Sequence, residues 1–417
     1  MEQSLILNNK PLPFLTKETQ PMEILDYSCR RLRTKHIPLV KVLWRGQQVE
    51  KVTWETEDYI EQHYPELLSR GEMMKVEENG LLSRDVFGVI CEKLDFDDLF
   101  QLAEVCKCWR TLHESYWESF MESEVPLLVQ TSYDEKACYF ISLCERKLYC
   151  SNMMDYTRGC SYAGFSCGYV IMAKANNSLL LINPFTRRKV DLWQPFHHSL
   201  VSYPCHAIIA YVKDSTDFIV ALLSERNSSL YIYQTQNSRW NRWYDPCRVV
   251  DFVVFQHIVY VITDDAHIGV ALLKSNTFKF LQLNNVPSFT STDLKLVSSD
   301  ENLLVVHFVP RHKFEVYKVD FASMHWIKLE TLGDVALFYA KHTKCYALSN
   351  PVTRGYEKNC LYYIDQSTAL CEVYSMSNYN FPFYISGETF APSRSRPYWL
   401  DWCFRHVRDE VDYSLLE

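Results

Sequence analysis

A strand–turn–anchor unit recurs six times along the C-terminal two-thirds of this chain, and its spacing restricts the fold more than any other feature. In each copy a polar turn is followed by one apolar anchor: Leu148 after Glu145-Arg146-Lys147, Val190 after Arg187-Arg188-Lys189, Trp240 after Asn237-Ser238-Arg239, Phe278 after Ser275-Asn276-Thr277, Trp326 after Ser323-Met324-His325, and Leu370 after Ser367-Thr368-Ala369. Successive anchors lie 42, 50, 38, 48 and 44 residues apart. That period suits a four-stranded sheet repeated about an axis. Short apolar strands fill the intervals, at 179–182, 218–223, 230–233, 252–255, 258–262, 303–308, 314–319 and 361–364, and helical periodicity is nearly absent. The expected fold class is mainly β: a six- (or seven-) bladed β-propeller over residues 126–410, with a β-sandwich as the alternative.

Composition agrees with a strand-rich core. The 417 residues include 27 Tyr, 23 Phe and 10 Trp but only 11 Gly, and aromatic side chains favour strands. The formal net charge of −8 argues against a surface that binds nucleic acid throughout. The 15 cysteines are odd in number and irregularly spaced, and no secretory pattern follows Met1. Reduced, mostly buried thiols in the nucleus or cytoplasm are therefore expected, and Asn176 and Asn227 are chance matches to the glycosylation pattern. No apolar run reaches the roughly 18 residues of a spanning helix, so no membrane association is expected.

The residues Gly168-Tyr169-Val170-Ile171, Leu180 to Arg188 (LLINPFTRR), Phe314 to Asp320 (FEVYKVD), Trp326, Leu332 to Phe338 (LGDVALF) and Asn359 to Tyr363 (NCLYY) carry a resemblance to a known domain. They resemble a plant-specific domain of unknown function, related to kelch-type propellers, that commonly follows an F-box. The resemblance covers most of Pro126 to Trp402. It implies that the propeller receives a protein substrate.

Upstream, residues 81–124 read as helices. Val86, Ile90 and Leu94 fall at i, i+4, i+8 on one face. Asp97 and Asp98 open a second helix bearing Leu99, Leu102, Val105 and Trp109, and a third stretch runs from Leu112 to Phe120. Leu82-Ser83-Arg84-Asp85-Val86, Ile90, Leu94, Asp98-Leu99, Leu102 and Val105-Cys106-Lys107-Cys108-Trp109-Arg110 resemble an F-box, with Ser83 where that family usually has Pro. The resemblance implies binding to a Skp-type adaptor, and through it to a cullin-RING ubiquitin ligase. Leu82, Asp85, Val86, Ile90, Leu94, Leu99, Leu102, Val105 and Trp109 are the expected adaptor-binding residues. So small a helical unit cannot bury its apolar surface alone, which suits a partner-binding hook.

The head of the chain is a third unit. Residues 1–20 read as a disordered start, 21–70 as a small α+β module and 71–80 as a linker. Ile37 to Trp44 and Val52 to Glu55 read as strands, and Thr56 caps a helix that carries Ile60, Tyr64 and Leu67 on one face until Pro65 breaks it. Glu23 to Asp26, Ile37 to Arg45, Thr53 to Glu55 and Tyr64 to Leu67 resemble a chromodomain of the kind found in gypsy-type retroelement polyproteins. That resemblance places Trp44 at a methyl-lysine cage position. The next cage position falls near the non-aromatic Gln47, so a packing module or an inert relic of a gene fusion is the expected role, with Trp54 in its core. The basic run Arg30, Arg31, Arg33, Lys35 reads as a solvated loop, with nucleic-acid or histone contact as the alternative.

No catalytic constellation emerges. Gly164-Phe165-Ser166-Cys167-Gly168 fits a nucleophile-elbow pattern, but strand-like Tyr169 to Met172 follows where a helix is required. Cys106 and Cys108 lack a second ligand pair for zinc, so neither metal nor cofactor is expected. The expected function is a non-catalytic substrate-recognition subunit of a Skp-cullin-F-box ubiquitin ligase with an unknown protein substrate. The alternative is a chromatin-associated interaction protein with a degenerate F-box.

Overall fold

The structure is a computed structural model. It describes residues 20–31, 36–45, 50–65, 67, 84–132 without 92, 95 and 106, 138–152, 160–193 without 177, 205–243 without 226–227, 248–289, 293–309, 313–376 without 367–369, 378–385 and 398–415. Residues 1–19, the expected linker 71–80 and Leu82 lie outside that set. The chain forms two compact units, residues 1–93 and 94–417. The boundary falls inside the segment that the sequence suggests is one helical module.

In the first unit, β1 (Gln20–Arg31), β2 (His36–Arg45) and β3 (Glu50–Thr56) form an antiparallel meander in sequence order. Helix α1 (Glu57–His63) follows. Thr56 caps it, its hydroxyl accepting from the Tyr59 amide at 3.3 Å, and Glu57 and Asp58 occupy the first turn, where the helix dipole favours acids. Alternation along β2 puts Val40, Val42 and Trp44 on one face, where they pack with Ile24, Ile60 and Leu67. Arg30 and Arg31 end β1 rather than lying in a loop. Helix α2 (Arg84–Cys91) completes the unit.

The second unit begins with helices α3 (Phe96–Val105) and α4 (Lys107–Glu122). Six sheets of four or five strands follow among the described residues. From the innermost strand outward, the first contains β28 (Tyr398–Cys403), β4 (Leu127–Ser132), β5 (Cys138–Ser142) and β6 (Lys147–Ser151). The C-terminal β28 thus closes the sheet that the N-terminal β4 begins. The second is β7 (Cys160–Ser166) to β10 (Lys189–Trp193), with β8 (Tyr169–Lys174) and β9 (Ser178–Ile182) between. The third is β11 (Cys205–Val212), β12 (Phe218–Ser224), β13 (Ser229–Gln234) and β14 (Arg239–Trp243). The fourth is β15 (Val249–Phe255), β16 (Ile258–Thr263), β17 (Ile268–Leu272) and β18 (Thr277–Phe280). The fifth is β19 (Leu294–Ser299), β20 (Asn302–Val309), β21 (Lys313–Asp320) and β22 (His325–Leu329).

The sixth sheet departs from simple order. It runs β24 (Cys345–Ser349), β23 (Val335–Ala340), β25 (Cys360–Asp365), β26 (Leu370–Ser375) and β27 (Asn378–Ile385), with β23 and β25 parallel. A last short strand, β29 (Glu410–Val411), pairs in parallel with β11.

The six sequence anchors all lie on the fourth strand of their sheets, counted outward from β28, β7, β11, β15, β19 and β24. The turn before the anchor is a tight hairpin in four of them: Arg146, Ser238, Asn276 and Met324, each two residues before its anchor, sit at φ 53°, 51°, 55° and 55°. A left-handed residue at that position is the usual way to close a short antiparallel loop without splaying the strands. The first three strands of each sheet are largely buried, and their apolar side chains interdigitate between neighbouring sheets, as Val253, Ile262 and Phe255 do with Leu294, Leu296 and Val305.

Candidate functional site

Two regions collect side chains with functional chemistry, the helical segment and the centre of the sheet ring. On α2 the buried side chains are Phe87 and Cys91, one position round the helix from the expected Val86 and Ile90. Val86 is 45% exposed and Val89 56%, with Ile90 half-buried. Asp85 lies in α2, but its side chain is outside the described set.

Helices α3 and α4 are built into the second unit. Phe96 is fully buried, with ring centroids 5.4 Å from Phe140, 5.1 Å from Tyr149 and 5.4 Å from Phe185. Trp117 and Phe120 on α4 complete this cluster, 5.9 and 6.1 Å from Phe185. Phe185 itself belongs to the turn from Asn183 to Arg188, which is fixed by the Asn183 side-chain oxygen accepting from the Phe185 and Thr186 amides at 2.9 and 2.8 Å. Two cations seal the edges: Arg187 lies 4.3 Å from the Phe100 ring and Arg405 4.0 Å from the Phe120 ring. The expected anchor Leu99 is buried here and offers no surface, because its side of α3 faces the unit's own core. Leu94, Leu102 and Trp109 are half-buried, whereas Val105 is 64% exposed.

In the first unit two tryptophans exchange their expected roles. Trp44 is 2% exposed, its indole N–H donating to Thr53 Oγ1 at 2.8 Å and its ring edge-on to Tyr64 at 5.6 Å. It is a core residue and presents no open ring face to a cation. Trp54 is 44% exposed, with the Lys41 ammonium 5.8 Å from its ring centroid.

The elbow-like pattern at Gly164 to Gly168 has a purely structural explanation. Cys167 and Gly168, at φ 50° and 81°, make the two-residue hairpin between β7 and β8, for which two left-handed residues are needed. At Gly164 a Cβ would stand 2.7 Å from the Ala207 carbonyl oxygen, so only glycine lets β7 and β11 approach. The buried Ser166 hydroxyl donates to the Ile209 carbonyl at 3.1 Å and accepts from the Ile209 amide at 3.0 Å. It ties two sheets together.

At the centre of the ring each sheet contributes a buried polar side chain near its innermost strand: Tyr162, His206, Asp251, Lys295, Lys344 and Asp401. Tyr162 donates to Asp401 Oδ2 at 2.8 Å, and the Trp402 amide to Asp401 Oδ1 at 2.7 Å. The Leu296 amide donates to Asp251 Oδ2 at 2.7 Å, while His206 Nε2 and Lys295 Nζ stand 3.2 and 3.8 Å from Asp251 Oδ1. Burial pushes Asp251 up to about 6 and Asp401 up to about 7. Burial and the nearby Lys295 and Lys344 hold His206 well below its usual value, so it faces Asp251 as a neutral ring. Burial opposes the charge on Lys295, but Tyr339 and Asp251 outweigh it and raise its pKa. Lys344 reaches Asp409 at 2.7 Å, on the segment between β28 and β29 that links the first sheet to the third. Sequence reading missed this column. Its clearest local signal was Asp251, the one polar residue in the otherwise apolar β15.

A closed series of radially arranged, mainly antiparallel sheets, with β28 near the C-terminus completing the sheet that β4 begins, defines a β-propeller protein. Residues 140–380 match the KIB1-4 beta-propeller family, and the chain belongs to that family. No curated protein matches the sequence. Among solved structures, a nidogen/laminin complex is similar at 11% identity over 62% of this chain and 93% of that chain, with a TM-score of 0.39. Apo AztD from Citrobacter koseri is similar at 12% identity over 53% of this chain and 72% of that one, with a TM-score of 0.35.

Proposed function

We propose that the protein is the substrate-recognition subunit of a Skp-cullin-F-box ubiquitin ligase, with a six-bladed propeller that receives the substrate. Membership of the KIB1-4 beta-propeller family supports a role in protein interaction. The observation that carries the adaptor assignment is what the helices leave uncovered. Val86 and Val89 on α2, within the segment that resembles an F-box, keep 45% and 56% of their surface exposed. Such exposed apolar side chains on a short helix are what a helix-in-groove partner would cover. Leu82 and Ile90 extend the same apolar series in sequence.

The fusion of α3 and α4 to the propeller through Phe96, Trp117, Phe120 and Phe185 suits a receptor that must present a bound substrate at a fixed distance from a ubiquitin-conjugating enzyme. No residue of this chain then performs chemistry. Its contribution is effective concentration. The chromatin-reading alternative depended on Trp44, whose ring is buried. The first unit is a packing module in this reading, and the protein works in the nucleus or cytoplasm, where adaptor and cullin meet.

Reconstitution tests the assignment. The full chain, mixed with a Skp-type adaptor, a cullin-RING pair, ubiquitin and its activating and conjugating enzymes, should become ubiquitinated on its own lysines. The Val86→Asp/Val89→Asp variant should not. Equal modification of both proteins would refute the assignment.

A further inference from the structure

The outermost strands of the propeller carry a charge opposite to that of the chain. β6, β10, β14, β18, β22 and β27 contain six basic residues (Lys147, Lys189, Arg239, Arg242, Lys279, Lys328) and one acidic residue (Asp191), in a chain of net charge −8. Asp191 pairs with Lys174, and Lys328 with Glu315 at 2.6 Å. β14 alone among these strands holds two arginines.

Three further features meet at β14. First, it is an edge strand: among the described residues its sole strand partner is β13, and no described strand pairs with its outer backbone edge. Second, aromatic surface lies against it. Trp193, at the end of the neighbouring β10, is 70% exposed, and its carbonyl accepts from the Trp240 indole N–H at 3.1 Å, while Tyr233 packs 5.3 Å from Trp240. Third, the cations are placed on both faces of the strand. Alternation puts Trp240 and Arg242 on one side and Arg239 on the other. Arg242 is steadied by donating to Ser229 Oγ at 3.0 Å, whereas the exposed Arg239 guanidinium has no ion-pair partner among the described residues.

We propose that this rim, centred on Trp193, Trp240, Arg239 and Arg242, binds an acidic extended peptide segment of the substrate. The segment adds to the outer edge of β14. Its backbone supplies the ladder hydrogen bonds, its carboxylates meet the two arginines on alternate sides, and an apolar side chain covers Trp193. The inference rests on reading the propeller as the substrate receiver, and it names the chemical class of what is received.

The test uses the full chain and a fluorescein-labelled peptide that alternates glutamate with serine around one central phenylalanine, read by anisotropy. Its glutamine counterpart and a labelled oligothymidylate serve as comparators. The acidic peptide should bind, and raised salt should weaken it. Trp193→Ala and Arg239→Glu/Arg242→Glu should each weaken it by roughly tenfold or more. The glutamine peptide should not bind. Trp193 and both arginines are largely exposed, so the variants should fold, which thermal unfolding checks. Unchanged affinity in both variants, or binding of oligothymidylate in preference to the peptide, would overturn the proposal. Adaptor binding is measured on the same preparations. A chain that binds adaptor but not peptide loses only this inference, and one that binds peptide but not adaptor loses only the ligase assignment.

Discussion

Replacing Phe96 by alanine should destabilise the whole propeller unit, although Phe96 lies in a helix outside the sheets. The Phe96 ring is fully buried among Phe140, Tyr149, Phe185, Trp117 and Phe120, residues drawn from two sheets and the other helix. Removing its ~150–250 Å² of apolar surface at ~25 cal/mol per Å² gives an upper bound of roughly 4–6 kcal/mol. Measured core Phe→Ala changes cost about 3–5 kcal/mol, which agrees. At roughly 2–4 °C per kcal/mol for a unit of this size, the melting temperature should fall by about 10 °C. Thermal unfolding followed by near-ultraviolet circular dichroism reads this directly, because the lost aromatic contacts and the sheet melt together. Val105→Ala, on the same helix but largely exposed, should shift the midpoint by only about 0.5 kcal/mol or less. If Phe96→Ala left the sheet transition in place and merely loosened the helices, α3 and α4 would be an independent hook and the rigid-coupling argument would fail.

Two further outcomes follow from the buried groups. Asp401 has a folded pKa of about 7 against an ordinary value of 3.8, so the folded state binds the proton more tightly and the carboxylate's contribution to stability falls as pH rises from about 4 to 7. His206, held neutral, works in the opposite sense below its ordinary 6.5. The comparison must therefore be made against Asp401→Asn, which should melt close to wild type at pH 5 and gain on it by pH 8, and a constant difference across that range would refute the argument. In the first unit, Trp44→Ala should cost about 3–5 kcal/mol in urea unfolding and Trp54→Ala less than about 1 kcal/mol, and the reverse order would mean that the buried face of β2 has been misassigned.

The outer rim of the propeller was legible because its signal is local. A left-handed turn residue and the anchor two positions later, as at Ser238 and Trp240, lie within one hairpin. A closed propeller was expected, but the pairing that closes it was not legible, since β28 and β4 meet across more than two hundred residues with no short-range pattern to announce it. The parallel insertion of β25 beside β23 was equally silent. At Trp44 the strand alternation with Val40 and Val42 pointed to the core, and the analogy to a cage position obscured it. For α3 only Leu99 of the expected face is buried, because the helix ends at Val105, which is exposed, and Trp109 falls on α4. Phe96 faces the propeller because Phe185, held out by the Asn183 turn, gives it an apolar seat in the same unit.

The central claim is adaptor binding, and it is tested most directly by calorimetric titration of a purified Skp-type adaptor into the full chain. Val86→Asp/Val89→Asp is the informative control, because both side chains are exposed and the substitution spares the fold, whereas Leu99→Asp would disrupt a buried core. The account predicts saturable binding by the wild-type chain that the double variant abolishes with no change in melting temperature. Absence of binding by a folded wild-type chain, or equal binding by the variant, would contradict it.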